Sequence, residues 1–269
     1  MTQRPVLCPR CRQLVGSEES VCSGCGTSRS APWWHFFNWS KGMMEGDWLI
    51  NAIITANVLF FAMSLILSAR TGDIGGLISP GNASLMLLGA TGTYPIEHFG
   101  RLWTVISANY LHGGIIHLIF NLMALKQLGP WTANEYGTSR MFIIYTLGGV
   151  TGYVISYFAG VPFTIGASAA ACSLIGALLY YGKSRGGAYG SSVYRDVSGW
   201  VISLFVFGLI SPGINNWGHG GGIIGGIVIG AVIGYNERRR ESHFDHTLAI
   251  LCGLVTAAIL IWAAVRAFI

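Results

Sequence analysis

Two residues suited to act as a nucleophile and its base stand among glycines in apolar surroundings. Ser168 lies in Gly166-Ala167-Ser168-Ala169, and His219 lies in Trp217-Gly218-His219-Gly220. A serine hydroxyl is a weak nucleophile until a neighbouring base takes its proton, which histidine does near neutral pH. Both residues fall in stretches long enough to cross a bilayer, where a polar side chain needs a partner or a function. No Asp or Glu lies within the strongly apolar part of any such stretch, so the expected unit is a Ser168–His219 dyad whose imidazole is held by packing. The same absence argues against an aspartyl mechanism. The lack of a His-Glu-x-x-His run argues against a metalloprotease. A tetrahedral intermediate also needs hydrogen-bond donors. His117 and Asn121 are four apart and share a helical face, and the amides at the start of the serine's helix are free as in any helix N-terminus.

These residues need a membrane scaffold to bring them together, and the composition supplies one. The chain has 269 residues, 52% hydrophobic and only 10% charged, with a mean hydropathy of +0.54. A soluble domain carries about 25% charged residues. Seven segments approach the length of about 20 residues needed to span hydrocarbon. They are Trp48–Ala69, Leu102–Leu125, Met141–Ala159, Phe163–Tyr181, Val193–Ser211, Trp217–Tyr235 and Thr247–Phe268. Leu85–Leu88 is too short to span and reads as interfacial. With the N-terminus cytoplasmic, 13 of the 16 Lys and Arg residues fall on the inner side, leaving Arg70, Arg101 and Arg266 outside. Spans two, four and six then begin at the outer face, which places His117, Asn121, Ser168 and His219 at similar depth. The net charge of +5 is absorbed by this topology, and no nucleic-acid partner is expected. Gly218, Gly222, Gly226, Gly230 and Gly234 recur every four residues, a small-residue ridge that allows close helix approach. Gly166, Ala170 and Ala177 read as its partner on span four.

The motifs His112-Gly-Gly-Ile-Ile-His117-Leu-Ile-Phe-Asn121, Gly166-Ala-Ser168-Ala and Gly218-His219-Gly-Gly-Gly222-Ile-Ile-Gly-Gly226 resemble those of the rhomboid intramembrane serine proteases. The resemblance implies an all-α polytopic fold: a six-helix core over residues 48–236, with a seventh C-terminal transmembrane helix over 247–269. It implies a serine endopeptidase that cuts in or near the transmembrane segments of membrane-protein substrates. In that reading Ser168 is the nucleophile, His219 the base, and His117 and Asn121 the oxyanion donors, with Gly166, Gly222 and Gly226 packing around the site. Three positions depart from the family pattern. Ala169 replaces the glycine that usually follows the serine, and Cys172 stands where an aromatic residue often packs on the histidine. Trp103-Thr104 replaces a Trp-Arg pair, with Arg101 displaced. A rhomboid-like pseudoprotease that binds membrane clients without cutting them is the alternative. A transporter is disfavoured by the lack of charge within the strongly apolar parts of the spans.

Cys8-x-x-Cys11 and Cys22-x-x-Cys25 form two knuckles ten residues apart, suited to a tetrahedral structural zinc. Disulfides are disfavoured on a reducing cytoplasmic side. Residues 1–28 are therefore expected to be a zinc ribbon that takes a cytoplasmic partner. Residues 29–47, with Trp33, Trp34, Phe36, Phe37 and Trp39, read as an interfacial linker. No cofactor is expected for the chemistry itself. The expected location is the bacterial inner membrane.

Overall fold

The computed structural model describes residues 6–7, 14–15, 19–22, 28, 47–72, 78–210 and 213–269. The chain divides into two units, Met1–Trp48 and Leu49–Ile269. In the first, β1 (Val6–Leu7) pairs antiparallel with β2 (Leu14–Val15), Val6 opposite Val15, and Val21 bridges Ser28. Each Cys-x-x-Cys thus falls between paired residues. Cys22 is buried. Cys8, Cys11, Cys25 and the linker over 29–46 lie outside the described residues.

The second unit is helical, as the apolar stretches require of a chain whose backbone must satisfy itself in lipid. Its helices are α1 (Asp47–Thr71), α2 (Asn82–Leu88), α3 (Thr93–Phe99), α4 (Thr104–Ser107), α5 (Ile115–Tyr136), α6 (Thr138–Phe158), α7 (Ser168–Arg185), α8 (Gly187–Ile210), α9 (Asn216–Ile233) and α10 (His243–Phe268). Among the described residues, α1, α6, α8, α9 and α10 are long and apolar enough to cross a membrane. A sixth span results if the bent pair Thr104–Tyr110 and Ile115–Tyr136 is counted as one. α7 is not among them because it faces protein rather than lipid. Twelve of its 18 residues are buried, and its alanines, glycines and serines pack against α6, α8 and α9.

Several expected boundaries are corrected. The segment Leu102–Leu125 is two pieces turned by 95°. Leu111 is extended and Gly113-Gly114 breaks the helix, so α5 begins only at Ile115. No loop fills 126–140, since α5 runs to Tyr136 and Gly137, at φ +96°, turns directly into α6. α7 begins at Ser168 rather than Phe163, because Thr164 is held extended in a bridge to Thr91 and Gly166 sits at φ +127°. α8 starts six residues before Val193, through polar residues that hydropathy excludes but a helix accepts. A capping box of Ser242 and Asp245 starts α10 at His243, ahead of Thr247. As a result Glu135 and Asp245, which stand outside the expected spans, lie within helices, and Asp196 lies within α8.

The glycine ridge of α9 is narrower than its spacing suggests. A Cβ at Gly222 would meet the Ala169 carbonyl oxygen, and one at Gly226 would meet that of Ser173. At Gly230 it would lie 3.3 Å from Ala177. These three face α7, whereas Gly221 and Gly225 face Gly152 and Thr151 of α6. A Cβ at Gly218 would meet its own cap, Asn215, and Gly234 has open space around it. Ala170 turns away from α9 to face Gly149 of α6. The backbones of α7 and α9 therefore meet without intervening side chains.

The last helix, α10, packs on α6 and on α2 and α4. Trp262 meets Trp103 edge-on, ring centroids 4.8 Å apart. Arg140, with no exposed surface, donates to Asp245 at 2.9 Å and to the carbonyls of Arg239 and Arg240 at 2.6 and 2.7 Å.

Candidate active site

Ser168 is the first residue of α7 and His219 the fourth of α9. The α7–α9 seam sets them face to face, with His219 Nε2 2.9 Å from Ser168 Oγ. For Nε2 to accept the serine proton, Nδ1 must carry the ring's own hydrogen. Nδ1 is buried with no hydrogen-bond partner among the described residues. Among the described residues, the imidazole is oriented by its helix and its packing and not by a carboxylate. Asp245 binds Arg140 at the far end of α6 from Ser156, about 24 Å away along a helix rising 1.5 Å per residue.

Gly166 shapes the space beside the hydroxyl. The point a Cβ would occupy on Gly166 lies 2.9 Å from His117 Nε2 and 3.5 Å from Ser168 Oγ. That hollow is open only because residue 166 has no side chain, so Gly166 lines the site instead of packing helices as expected. His117 Nδ1 accepts from the Gly113 amide at 3.4 Å, which assigns the proton to Nε2 and makes it a donor toward the hollow. Asn121 spends its amide on its own helix, donating to the His117 carbonyl at 2.8 Å. His112 lies buried under His117, ring centroids 5.1 Å apart and edge-on. The start of α7 has no side-chain cap, so its first amides are available to an anion.

The departures at Ala169, Cys172 and Arg101 each have a place. The Ala169 methyl packs with Ala108 and Tyr153 and against Gly152, away from the hollow. Cys172 is buried, with its Cβ beside Gly222 in the seam. Arg101 donates to the Met86 carbonyl at 2.8 Å and tethers the turn after α2.

Two positions escaped the sequence reading. Tyr153 donates to the Gly166 carbonyl at 2.5 Å, fixing the backbone before Ser168. A tyrosine in a glycine-rich span was itself a signal, because a buried phenol needs a partner for its hydroxyl. Asn215 caps α9, accepting from the Gly218 amide at 2.9 Å, and an asparagine just ahead of an apolar run is a helix-start signal.

The Rhomboid domain family matches residues 100–236, which contain all four of these polar site residues. The chain belongs to the rhomboid family. RHOMBOID-like protein 4 of Arabidopsis thaliana is 26% identical to this rhomboid over 245 residues, 81% of the chain and 62% of that protein. Rhomboid protease GluP of Bacillus subtilis (strain 168) is 32% identical over 180 residues, 67% of the chain and 35% of that protein. RHOMBOID-like protein 9, chloroplastic, of Arabidopsis thaliana is 30% identical over 182 residues, 64% of the chain and 42% of that protein. This rhomboid thus spans between about a third and two thirds of the length of these relatives.

Proposed function

We propose that this rhomboid is an intramembrane serine endopeptidase that hydrolyses peptide bonds in or near the transmembrane segments of membrane proteins. The observation that carries the reading is the 2.9 Å contact between Ser168 Oγ and His219 Nε2, residues with no other common purpose in an apolar bundle. His219 Nε2 takes the hydroxyl proton as Oγ attacks the substrate carbonyl. The resulting oxyanion enters the hollow at Gly166, where His117 Nε2–H and the first amides of α7 converge. His219 then delivers the proton to the departing amine, and water attacks the acyl-enzyme by the same route in reverse. A helical peptide bond is shielded and hydrogen-bonded, so the substrate must unwind locally to be cut. Membrane-anchored proteins with a helix weak near the site end of the bundle fit that need.

The lysine and arginine distribution supports a cytoplasmic N-terminus, with the site open to the outer side of a bacterial inner membrane. The strand pairs flanking each Cys-x-x-Cys support a ribbon in which Cys8, Cys11, Cys22 and Cys25 hold a structural zinc. Four thiolates close its coordination shell, which suits folding or partner binding and leaves the chemistry to the dyad.

The deciding experiment combines fluorophosphonate labelling with cleavage of a single-span reporter in proteoliposomes. Wild type is expected to label and cut, and folded Ser168→Ala to do neither. Folded wild type that neither labels nor cuts would point instead to client binding without cleavage. Gly166→Ala probes the hollow directly. Its methyl would meet the His117 ring at 2.9 Å, on a backbone at φ +127° that side chains disfavour. The loss is expected to match that of an oxyanion donor, about 100-fold in reporter turnover. Turnover within about twofold of wild type would place the oxyanion elsewhere.

A further inference from the structure

The glycine seam fixes how closely α7 and α9 approach, but glycines offer little to stop one helix sliding along the other. The dyad does not tolerate sliding, since a displacement of about 1 Å in reacting groups can lower a rate 10²-fold. Something must set the axial register. Asn215 is placed to do so. Its side-chain oxygen accepts from the Gly218 amide at 2.9 Å, and its carbonyl accepts from the His219 amide at 3.1 Å. Its NH₂ group donates to Ser156 Oγ at 2.6 Å and to Thr164 Oγ1 at 2.9 Å. Ser156 is fully buried at the end of α6. Thr164 is buried four residues before Ser168, and its backbone is paired with Thr91 on both sides, at 2.7 and 3.1 Å. One amide therefore ties together the helix carrying the base, the strand leading to the nucleophile and the helix behind both.

We propose that Asn215 is a positioning residue that sets the register of His219 against Ser168, which rests on the dyad reading above. A helix cap alone would need only its oxygen. The two NH₂ bonds reach across to other segments and do the registering. The two jobs can be separated chemically. Asn215→Ser keeps a capping oxygen but is too short to reach Ser156 and Thr164. Asn215→Asp keeps the cap, and the two hydroxyls can rotate to donate to its second oxygen.

The test measures fluorophosphonate labelling rate, reporter kcat and KM, and thermal stability of the full chain in detergent and proteoliposomes. Labelling of wild type and its absence in Ser168→Ala establish the dyad first, so failure there is distinct from failure of this proposal. Asn215→Ser is then expected to unfold near the wild-type temperature yet label about 30-fold more slowly or worse, through kcat and not KM. Asn215→Asp is expected to recover the rate to within about threefold. Asn215→Ser labelling within about threefold of wild type would reduce Asn215 to a cap and overturn the proposal. Should Asn215→Ser fail to fold, Ser156→Ala decides, because it leaves the cap untouched. A slowed kcat at constant KM there supports register control, and a wild-type rate overturns it.

Discussion

Replacing His219 with alanine is expected to lower reporter turnover by about 10⁴-fold while leaving the bundle folded. His219 is only partly buried, and open space surrounds its neighbour Gly220, so truncation removes the base without disturbing the seam. The drop should be smaller than for a full triad. Among the described residues no carboxylate steadies the imidazolium and Nδ1 has no protein partner, so there is less catalysis to lose. Removing the nucleophile and the base together should cost no more than removing either, because a proton-transfer pair works as one unit. Measuring Ser168→Ala, His219→Ala and the double variant in proteoliposomes checks this. Additive losses would mean that the two residues act separately despite their 2.9 Å contact.

The site was more legible in the sequence than the scaffold, for a physical reason. Ser168, His219, His117 and Asn121 stand out because polar groups are costly in an apolar chain, and that cost is visible residue by residue. Hydropathy, by contrast, reports what faces lipid and not where a helix starts. It therefore ran Leu102–Leu125 through a 95° bend, because hydropathy registers no break at the extended Leu111 and at Gly113-Gly114. It counted α7 as a span from Phe163 although its true start depends on a glycine at φ +127° and a bridge to Thr91. The four-residue glycine spacing gave the right helix pair and, in Ala177, one right partner, but Ala169 and Ser173 take the places expected of Gly166 and Ala170. A period fixes a face, and only the crossing of two helices decides which residues that face meets. The networks around Tyr153 and Asn215 join segments far apart in sequence, which no local pattern encodes.

Asp245→Asn is expected to destabilise the protein by about 3–5 kcal/mol, because it removes one member of a buried ion pair and strands the other. Arg140 and Asp245 have side-chain exposures of 0% and 1%, so neither can be rescued by water. Without the carboxylate, Arg140 keeps only carbonyl dipoles, from Arg239, Arg240 and, at 3.4 Å, Gly234. The capping box of α10 weakens at the same time, since Asp245 also accepts from the Ser242 amide at 2.8 Å. Arg239 is the internal control. It too reaches Asp245 at 2.9 Å, but with 52% of its side chain exposed, and Arg239→Ala should cost less than about 1 kcal/mol. Thermal unfolding in detergent reads the contrast, with a fall on the order of 10 °C for Asp245→Asn. If Asp245→Asn costs no more than Arg239→Ala, the three carbonyls suffice for Arg140 and the ion pair contributes little. Because this clasp joins α6 to α10 at the end remote from Ser168, the folded fraction of Asp245→Asn should label at the wild-type rate. The clasp holds α10 in place, and the chemistry depends on the α7–α9 seam at the other end.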